Sequence, residues 1–255
     1  MFAERILVLI PHPDDEVVGC SAAIGRARRT GCQVAGLYLT NGVPALELFW
    51  PWQKGDHRAR VAVRWREAET AREALGIAEA GRQDIPTRTL RLHMAESAAL
   101  IERALDATGA TMLWTPAFEG AHQDHDAANA LASRLRGRIA VWEFSEYHNA
   151  GGRVHAQEFI VPNGTETVLA LDDGEVADKR RLLALYASEK ANLGYVGTAR
   201  ESFRPLADYD YSRPPHGGAL FHARFRWVWG HPRVDRTDPA EVRRTICAFL
   251  RGSVA

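Results

Sequence analysis

The chain has 255 residues, of which 46% are hydrophobic and 25% are charged, and its 32 basic and 32 acidic residues cancel to a formal net charge of zero. These values are typical of a globular protein that buries a sizeable core without disulfide support. Nucleic-acid and membrane-surface proteins usually carry a basic excess, and no apolar run approaches the roughly 18 residues of a membrane span, so neither class of partner is favoured.

The first half of the chain alternates strand and helix patterns. Short apolar runs, typical of buried parallel strands, alternate with segments whose apolar residues recur three or four positions apart. The predicted strands lie at 6–10, 33–40, 87–92, 111–115 and 138–144, and the predicted helices at 16–29, 58–75, 95–107 and 124–135. This alternation predicts an α/β fold, a Rossmann-like, doubly wound and mostly parallel sheet.

The second half of the chain has a different pattern. We predict strands at 159–161, 167–171 and 221–229, helices at 172–190 and 239–250, and a long loop at 195–218 that is rich in Gly, Pro, Tyr and Arg. No linker separates the halves. We therefore expect a single domain over 1–255, with a Rossmann-like core at 1–150 and a smaller, β-containing C-terminal extension at 151–255 that completes the pocket.

The cysteines and the N-terminal residues indicate in which cellular compartment the protein is expected. Cys20, Cys32 and Cys247 match no disulfide or zinc framework, which favours reduced thiols. The N-terminal residues run into a strand pattern with no signal peptide. We therefore expect a cytoplasmic protein that meets a small-molecule substrate, with neither a membrane anchor nor a nucleic-acid partner.

Two motifs follow predicted strands. The run Pro11-His12-Pro13-Asp14-Asp15-Glu16 comes directly after the first strand, and His122-Gln123-Asp124-His125 follows the strand at 111–115. In a parallel α/β sheet, ligands bind outside the carboxyl ends of the strands. Two strand ends thus bring His and Asp side chains together, which is how a metal site is assembled.

The residues in these motifs suit zinc chemistry. A catalytic zinc site has three protein ligands and one open position, and His12, Asp15 and His125 offer a suitable set. Asp14 and His122 remain for taking a proton from water and for stabilising an oxyanion or protonating a leaving amine. Asp14 or Asp15 could instead simply cap the following helix. Two such motifs in one chain favour the metal site.

The motifs resemble those of the PIG-L/LmbE family of zinc-dependent N-deacetylases. That family carries His-Pro-Asp-Asp-Glu after its first strand, which His12 to Glu16 match without a change, and a later His-x-Asp-His, which 122–125 match. The similarity is looser at Leu39-Thr40-Asn41-Gly42, at Arg64-Trp65-Arg66-Glu67 and at 179–189. A Ser-Glu pair, Ser188-Glu189, stands where the family usually has Ser-Gln.

The resemblance implies a function and a site. The reaction is removal of an N-acetyl or other short N-acyl group from an amino sugar or its conjugate, which gives acetate and a free amine. One catalytic Zn²⁺ ion would be the cofactor. The implied roles are metal ligands for His12, Asp15 and His125, general base for Asp14, oxyanion stabiliser or general acid for His122, orientation of His122 for Asp124, and sugar contact for Arg64.

Further residues are predicted to bind the substrate. Trp50 and Trp52 follow the second strand in an aromatic loop, and aromatic rings stack on sugars. Packing as a lid or as a subunit contact is an equal alternative, which leaves a homo-oligomer open. Glu47 shares the loop and could contact a hydroxyl or lie solvated at the surface. Tyr147, after the strand at 138–144, and His216, in the long loop, could also reach the pocket.

Three other functions are weighed against deacetylation. A phosphoesterase should show more carboxylate ligands and basic phosphate clamps. A nucleotide-binding protein needs a Gly-rich loop where this chain has Pro-His-Pro-Asp-Asp. A non-catalytic sugar-binding protein would not need the full set of catalytic groups that the motifs contain.

Overall fold

A computed structural model describes residues 1–228, 230–232 and 234–252. The strands are β1 (Arg5–Ile10), β2 (Gln33–Tyr38), β3 (Ala78–Arg82), β4 (Met112–Pro116), β5 (Ala140–Ser145), β6 (Tyr147–His148), β7 (His155–Ala156), β8 (Thr167–Ala170) and β9 (Arg200–Pro205). The α-helices are α1 (Asp15–Arg29), α2 (His57–Leu75), α3 (Met94–Thr108), α4 (Gln123–Ser133), α5 (Asp173–Leu183) and α6 (Pro239–Leu250). None of these helices is long and apolar enough to cross a membrane.

The central sheet has the strand order β3-β2-β1-β4-β5-β9-β8 in the described part of the chain. β1 pairs in parallel with β2 and β4, β2 pairs in parallel with β3, and β4 with β5. β9 is antiparallel to both β5 and β8. The predicted α/β, doubly wound and mostly parallel sheet is therefore confirmed, and the C-terminal extension adds its antiparallel edge.

Strand β1 is buried on both faces. Leu7 and Leu9 pack in one apolar cluster with residues of α3, α4 and α6, whereas Ile6, Val8 and Ile10 pack in another with residues of α1 and α2. Alternate side chains of a strand point to opposite faces, so one continuous apolar run fills both layers. This explains why the pattern at 6–10 predicts the strand correctly.

Most predicted elements are confirmed, but the strand at 87–92 is wrong. The third strand of the sheet is β3, whereas Leu90–Leu92 forms a 3-10 turn. Arg88 has a φ of 71°, which no strand residue adopts. Thr87 forms only an isolated parallel bridge with Pro44, and the backbone N–H groups of Arg88 and Leu90 donate to the Asp124 carboxylate instead of to a strand.

The predicted strands at 159–161 and 221–229 are also wrong in the described residues. Gln157 has a φ of 58° and turns the chain before the first of them. Phe221–Ala223 is a 3-10 turn, and the Arg224 guanidinium carbon lies 3.3 Å from the Phe221 ring centroid. Trp229 lies outside the described residues. The alternating aromatic residues of this segment therefore do not mark a strand, and Phe221 instead contacts the Arg224 guanidinium within a turn.

Two further predictions for the second half need correction. The predicted loop at 195–218 contains β9, which lies in the central sheet between β5 and β8. The predicted helix at 172–190 begins as expected, because the Asp172 side chain accepts from Glu175 N, but the α-helix ends at Leu183. A 3-10 turn, Ala187–Glu189, follows it.

Candidate active site

The site lies where the direction of strand connection reverses. β2 and β3 lie on one side of β1, whereas β4 and β5 lie on the other. The loops that leave β1 and β4 diverge at such a point and open a crevice at the carboxyl ends of the strands. These loops carry the two sequence motifs, so the topology brings residues about 110 positions apart into contact.

Three ligand atoms form a nearly equilateral triangle. His12 Nδ1 lies 3.2 Å from Asp15 Oδ2 and 3.2 Å from His125 Nε2, and His125 Nε2 lies 3.3 Å from Asp15 Oδ2. Ligands at zinc–nitrogen and zinc–oxygen bond lengths around a tetrahedral ion stand about 3.3 Å apart. The donor set and its spacing therefore fit one zinc ion with a fourth position left for water or substrate.

A second cluster, formed by His12, His122 and Asp124, also has donor atoms within 4.8 Å of one another. Its carboxylate is already in use, because Asp124 accepts from Thr87 Oγ1 at 2.9 Å and from Arg88 N at 2.6 Å. The same Asp124 oxygen lies 3.0 Å from His12 Nε2. This arrangement directs Nδ1 of His12 to the triangle, as carboxylates behind zinc-ligating histidines commonly do.

Asp14 holds an unusual backbone conformation, with a φ of 130° and a ψ of −23°. Such a conformation costs a non-glycine residue about 1–3 kcal/mol and persists only when its surroundings impose it. Here Asp14 N donates to Glu16 Oε2 at 3.2 Å, and the Tyr186 hydroxyl donates to the same carboxyl group. Glu16 thus anchors the turn that presents Asp14 and Asp15 to the cavity.

Arg64 of α2 orients the Asp14 side chain. Its Nη2 lies 3.0 Å from Asp14 Oδ2 and also donates to the Pro13 carbonyl. Burial raises the pKa of Asp14 to about 8, although the Arg64 guanidinium opposes that rise. Asp14 is therefore a carboxyl group whose affinity for a proton lies near neutral pH, as proton transfer to and from a reacting molecule requires.

His122 has a defined tautomer. Its Nδ1 accepts the Asp124 backbone N–H at 3.1 Å, so the ring proton lies on Nε2. Burial, reinforced by the neighbouring His12, lowers the pKa of His122 well below its usual value. The imidazole is thus neutral and is a hydrogen-bond donor through Nε2.

These groups line a cavity of about 700 Å³. Its lining contains His12, Asp14, Asp15 and His122 and combines arginines with apolar residues such as Val43, Phe49, Val63, Leu193 and Phe225. The volume falls within the range of small-molecule sites, and the mixed wall suits a ligand with both polar and apolar parts.

A protein-family model described as PIG-L, GlcNAc-PI de-N-acetylase, matches residues 7–135, which contain both motifs and the whole triangle. The chain belongs to the PIG-L family. A search of curated protein sequences finds no match.

Solved structures share the fold of this PIG-L chain. A deacetylase of the teicoplanin biosynthesis pathway is 18% identical over 81% of this chain and 99% of its own, with a TM-score of 0.63. The N,N'-diacetylchitobiose deacetylase from Pyrococcus horikoshii is 15% identical over 84% and 85%, with a TM-score of 0.53. The 4-carboxy-2-hydroxymuconate hydratase from Pseudomonas putida KT2440 is 17% identical over 82% and 98%, with a TM-score of 0.51. The fold therefore carries more than one chemistry.

The predicted substrate residues of this PIG-L chain divide into two groups. Arg64 and Tyr147 line the cavity. The other four, Glu47, Trp50, Trp52 and His216, are not among the residues found to line it in the described part of the chain. Trp50 Nε1 donates to the Gly230 carbonyl, Trp52 is 73% exposed, and the His216 ring lies 6.3 Å from that of His148.

Two buried residues gain importance from the structure. Glu146 Oε2 lies 3.7 Å from His125 Nδ1, so His125, like His12, has a carboxyl group behind its ring. The sequence already indicates a place near the site for Glu146, because this residue directly follows strand β5 and so lies at the carboxyl end of the sheet. His222 lines the cavity close to Asp235, whereas its sequence context shows no partner at metal spacing. Only the packing of the C-terminal extension reveals that pair.

Proposed function

We propose that this chain is a zinc-dependent N-deacetylase that removes an acetyl or other short acyl group from an amino sugar or its conjugate. The observation that carries this proposal is the triangle of possible metal ligands His12, Asp15 and His125. Asp14 is adjacent in sequence but is not part of the triangle, and Arg64 holds its side chain. Membership of the PIG-L family supports N-deacetylation, and the similar structures include a deacetylase of teicoplanin biosynthesis and an N,N'-diacetylchitobiose deacetylase.

His12, Asp15 and His125 would hold the ion. When bound, zinc polarises an acetyl carbonyl and makes a water molecule acidic enough to react near neutral pH. Asp14 is the general base that takes the proton of the attacking water, with one of its oxygens positioned by Arg64. His122 donates a hydrogen bond from Nε2 to the oxyanion.

Arg64 also has a hydrogen-bond donor, Nε, that is suited to contact the sugar. Its Nε is buried and has no hydrogen-bond partner in the described residues, and the side chain lines the cavity. A buried donor without a partner favours a ligand that supplies an acceptor. A substrate hydroxyl fits this requirement, so Arg64 links recognition of the sugar to the orientation of Asp14.

An amine-release assay tests the proposal. Zinc-loaded and chelator-treated protein are incubated with N-acetylglucosamine, N,N'-diacetylchitobiose and N-acetylglucosaminyl conjugates, and free amine and acetate are both quantified. We expect equimolar release by the zinc-loaded protein alone.

Phosphate monoesters and a direct binding measurement complete the assay. Hydrolysis of phosphate esters without any amine release would assign the site to phosphoester chemistry instead. Binding of N-acetyl sugars without turnover would make the chain a sugar-binding protein.

A further inference from the structure

Tyr186 is a fully buried residue of the C-terminal extension and lies between α5 and the 3-10 turn Ala187–Glu189. That turn is fixed to α2, because the backbone N–H and the hydroxyl group of Ser188 donate to the two carboxylate oxygens of Glu67 at 2.9 and 2.6 Å. A tyrosine from a distant part of the chain is thus held at a defined place next to the helix that carries Arg64.

The hydroxyl group of Tyr186 is connected to the backbone of Asp14 through Glu16. It donates a hydrogen bond to Glu16 Oε1, and Glu16 Oε2 accepts the backbone N–H of Asp14 at 3.2 Å. Glu16 is fully buried, so its carboxyl group depends on partners in the protein interior, and loss of one of them costs free energy. The hydroxyl group of Tyr186 therefore helps to maintain the φ of 130° at Asp14.

The ring of Tyr186 supports a second group that holds Asp14. The Arg64 guanidinium carbon lies 5.4 Å from the ring centroid, which is within the range of a cation–π interaction. Arg64 Nη2 in turn lies 3.0 Å from Asp14 Oδ2. One tyrosine thus contacts both Glu16, which binds the backbone of Asp14, and Arg64, which binds its carboxylate.

Tyr186 does not line the cavity. Asp14 and Arg64 are among the lining residues found in the described part of the chain, and Tyr186 is not. Reaction rates depend steeply on the placement of the reacting groups, and a misplacement of about 1 Å can cost about 100-fold in rate. An effect of Tyr186 on the reaction would therefore be transmitted by the residues that it holds.

On the basis of the proposed function, we infer that Tyr186 is a positioning residue for the reaction. Its hydroxyl group keeps Glu16 in place, Glu16 keeps Asp14 in its strained conformation, and the ring keeps Arg64 next to the Asp14 carboxylate. The C-terminal extension thereby sets the placement of the proposed general base.

Tyr186→Phe tests this role, because it removes the hydroxyl group and keeps the ring. Amine release is measured with N-acetylglucosamine and N,N'-diacetylchitobiose. We expect kcat to fall by about 10-fold or more, with KM within about twofold of that of the unmodified protein. Zinc content and the thermal midpoint verify that the variant is folded and loaded, and a residue that only stabilised the fold would not lower kcat in such protein.

Tyr38→Phe is the matched control. Tyr38 lies in the same buried apolar cluster as Tyr186, and its hydroxyl group is buried without a hydrogen-bond partner among the described residues. The same change of tyrosine to phenylalanine should therefore leave kcat unchanged at this position.

A double variant shows whether Tyr186 acts through Asp14. Tyr186→Phe added to Asp14→Asn should lower kcat by less than about twofold further, because the group that Tyr186 positions can no longer take the proton. Independent contributions of the two residues would instead multiply.

Amide hydrogen exchange gives a readout that does not require turnover. The Asp14 N–H donates to the carboxyl group that Tyr186 holds. Its exchange, followed by nuclear magnetic resonance in the zinc-loaded protein, should be faster by about 10-fold or more in Tyr186→Phe and unchanged in Tyr38→Phe.

The inference and the proposed function fail in different ways. Unchanged kcat in Tyr186→Phe, unchanged exchange of the Asp14 amide, or a multiplicative loss in the double variant would each overturn the role of Tyr186. If the unmodified protein releases no amine from any N-acetyl sugar, the proposed function itself fails, whereas the exchange experiment still decides whether Tyr186 holds the turn of Asp14.

Discussion

At the scale of single residues, Asp14 has a backbone conformation of high free energy and directly precedes Asp15 of the triangle. Its φ of 130° is imposed by hydrogen bonds to its own turn, and its carboxylate is held by Arg64. Strain that the surroundings maintain is characteristic of functional positions. The carboxyl group is thereby aimed at the cavity without being part of the triangle.

Asp14→Asn should therefore separate metal binding from turnover. We expect zinc content to stay near that of the unmodified protein, while kcat falls by about 10²–10⁴-fold, because an amide cannot accept the proton of water. Metal analysis and amine release measure the two quantities. Asp178→Asn, at an exposed residue of α5, is the control. Turnover that survives Asp14→Asn would remove the general-base role.

In the proposed metal site, Asp124 positions His12 through the contact with Nε2. Asp124→Asn replaces one acceptor oxygen by a donor, which conflicts with the N–H groups of Arg88 and Leu90. We expect zinc affinity to fall by about 10–100-fold, as for other carboxylates behind ligand histidines. Competition with a chromophoric chelator measures it. Unchanged affinity, with Asp84→Asn as control, would show that His12 needs no such support.

At the scale of elements, α1 is interrupted between its functional first turn and the rest of the helix. Cys20 has a φ of −148° and a ψ of 19°. The Val18 carbonyl, freed from helical bonding, accepts from Lys179 Nζ at 2.8 Å. The Glu201 carboxylate accepts from Ala23 N at 2.8 Å, so β9 caps the second part of the helix.

Lys179 and Glu201 form a fully buried ion pair, with 2.7 Å between Nζ and Oε1. Lys179→Met should lower the free energy of unfolding by about 3–5 kcal/mol, because it leaves a buried carboxylate without its countercharge. Lys179→Met combined with Glu201→Gln should recover only part of this loss, because it removes the unpaired buried charge but sets the new amide NH₂ group against the N–H of Ala22 or Ala23.

Chemical denaturation measures both Lys179 variants. Arg181→Met, in an exposed ion pair with Asp178, should change the free energy of unfolding by less than about 0.5 kcal/mol. A double variant as unstable as Lys179→Met would contradict the explanation from unpaired charge.

At the scale of the whole molecule, the C-terminal extension is built into the sheet and the helical layer. β9 and β8 continue the sheet beyond β5, and α5 packs against α1. Glu175 of α5 accepts from Arg26 Nη2 at 2.6 Å and from Arg29 Nη2 at 3.0 Å, which joins the extension to the core. We therefore propose that the chain unfolds as one unit.

This junction should weaken in acid. Hydrogen bonding by Arg26 lowers the pKa of Glu175 from an ordinary 4.5 to about 2. A carboxylate with a depressed folded-state pKa contributes stability that is present above pH 4.5 and is lost as the pH falls towards 2. Glu175→Gln should cost about 1–2 kcal/mol at pH 6, after allowance for solvent screening, and progressively less below pH 4.5.

Urea unfolding between pH 3 and pH 6 measures this difference. Glu102→Gln, in a solvent-exposed pair with Arg138, should show no comparable trend. A Glu175→Gln effect that is constant over this range would exclude the ionic contribution.

The sequence pattern alone was sufficient to predict those elements whose structure depends only on their own residues. The apolar run at 6–10 can be buried only as a central strand, and the polar residues directly after it must then lie at the carboxyl end of the sheet. The same reasoning places 122–125 after β4. The grouping of His12, Asp15 and His125 follows from these two inferences without knowledge of the tertiary structure.

The tertiary structure alone decided features that depend on partners far along the chain. Residues 87–92 form no strand because the N–H groups of Arg88 and Leu90 bind Asp124, and 200–205 form one because β5 and β8 offer edges to pair with. His222 joins the cavity because a turn in the extension docks beside His122. Such contacts depend on long-range pairing and burial, which outweigh local propensity. The sequence by itself therefore determined the candidate metal site, and tertiary packing determined what surrounds it.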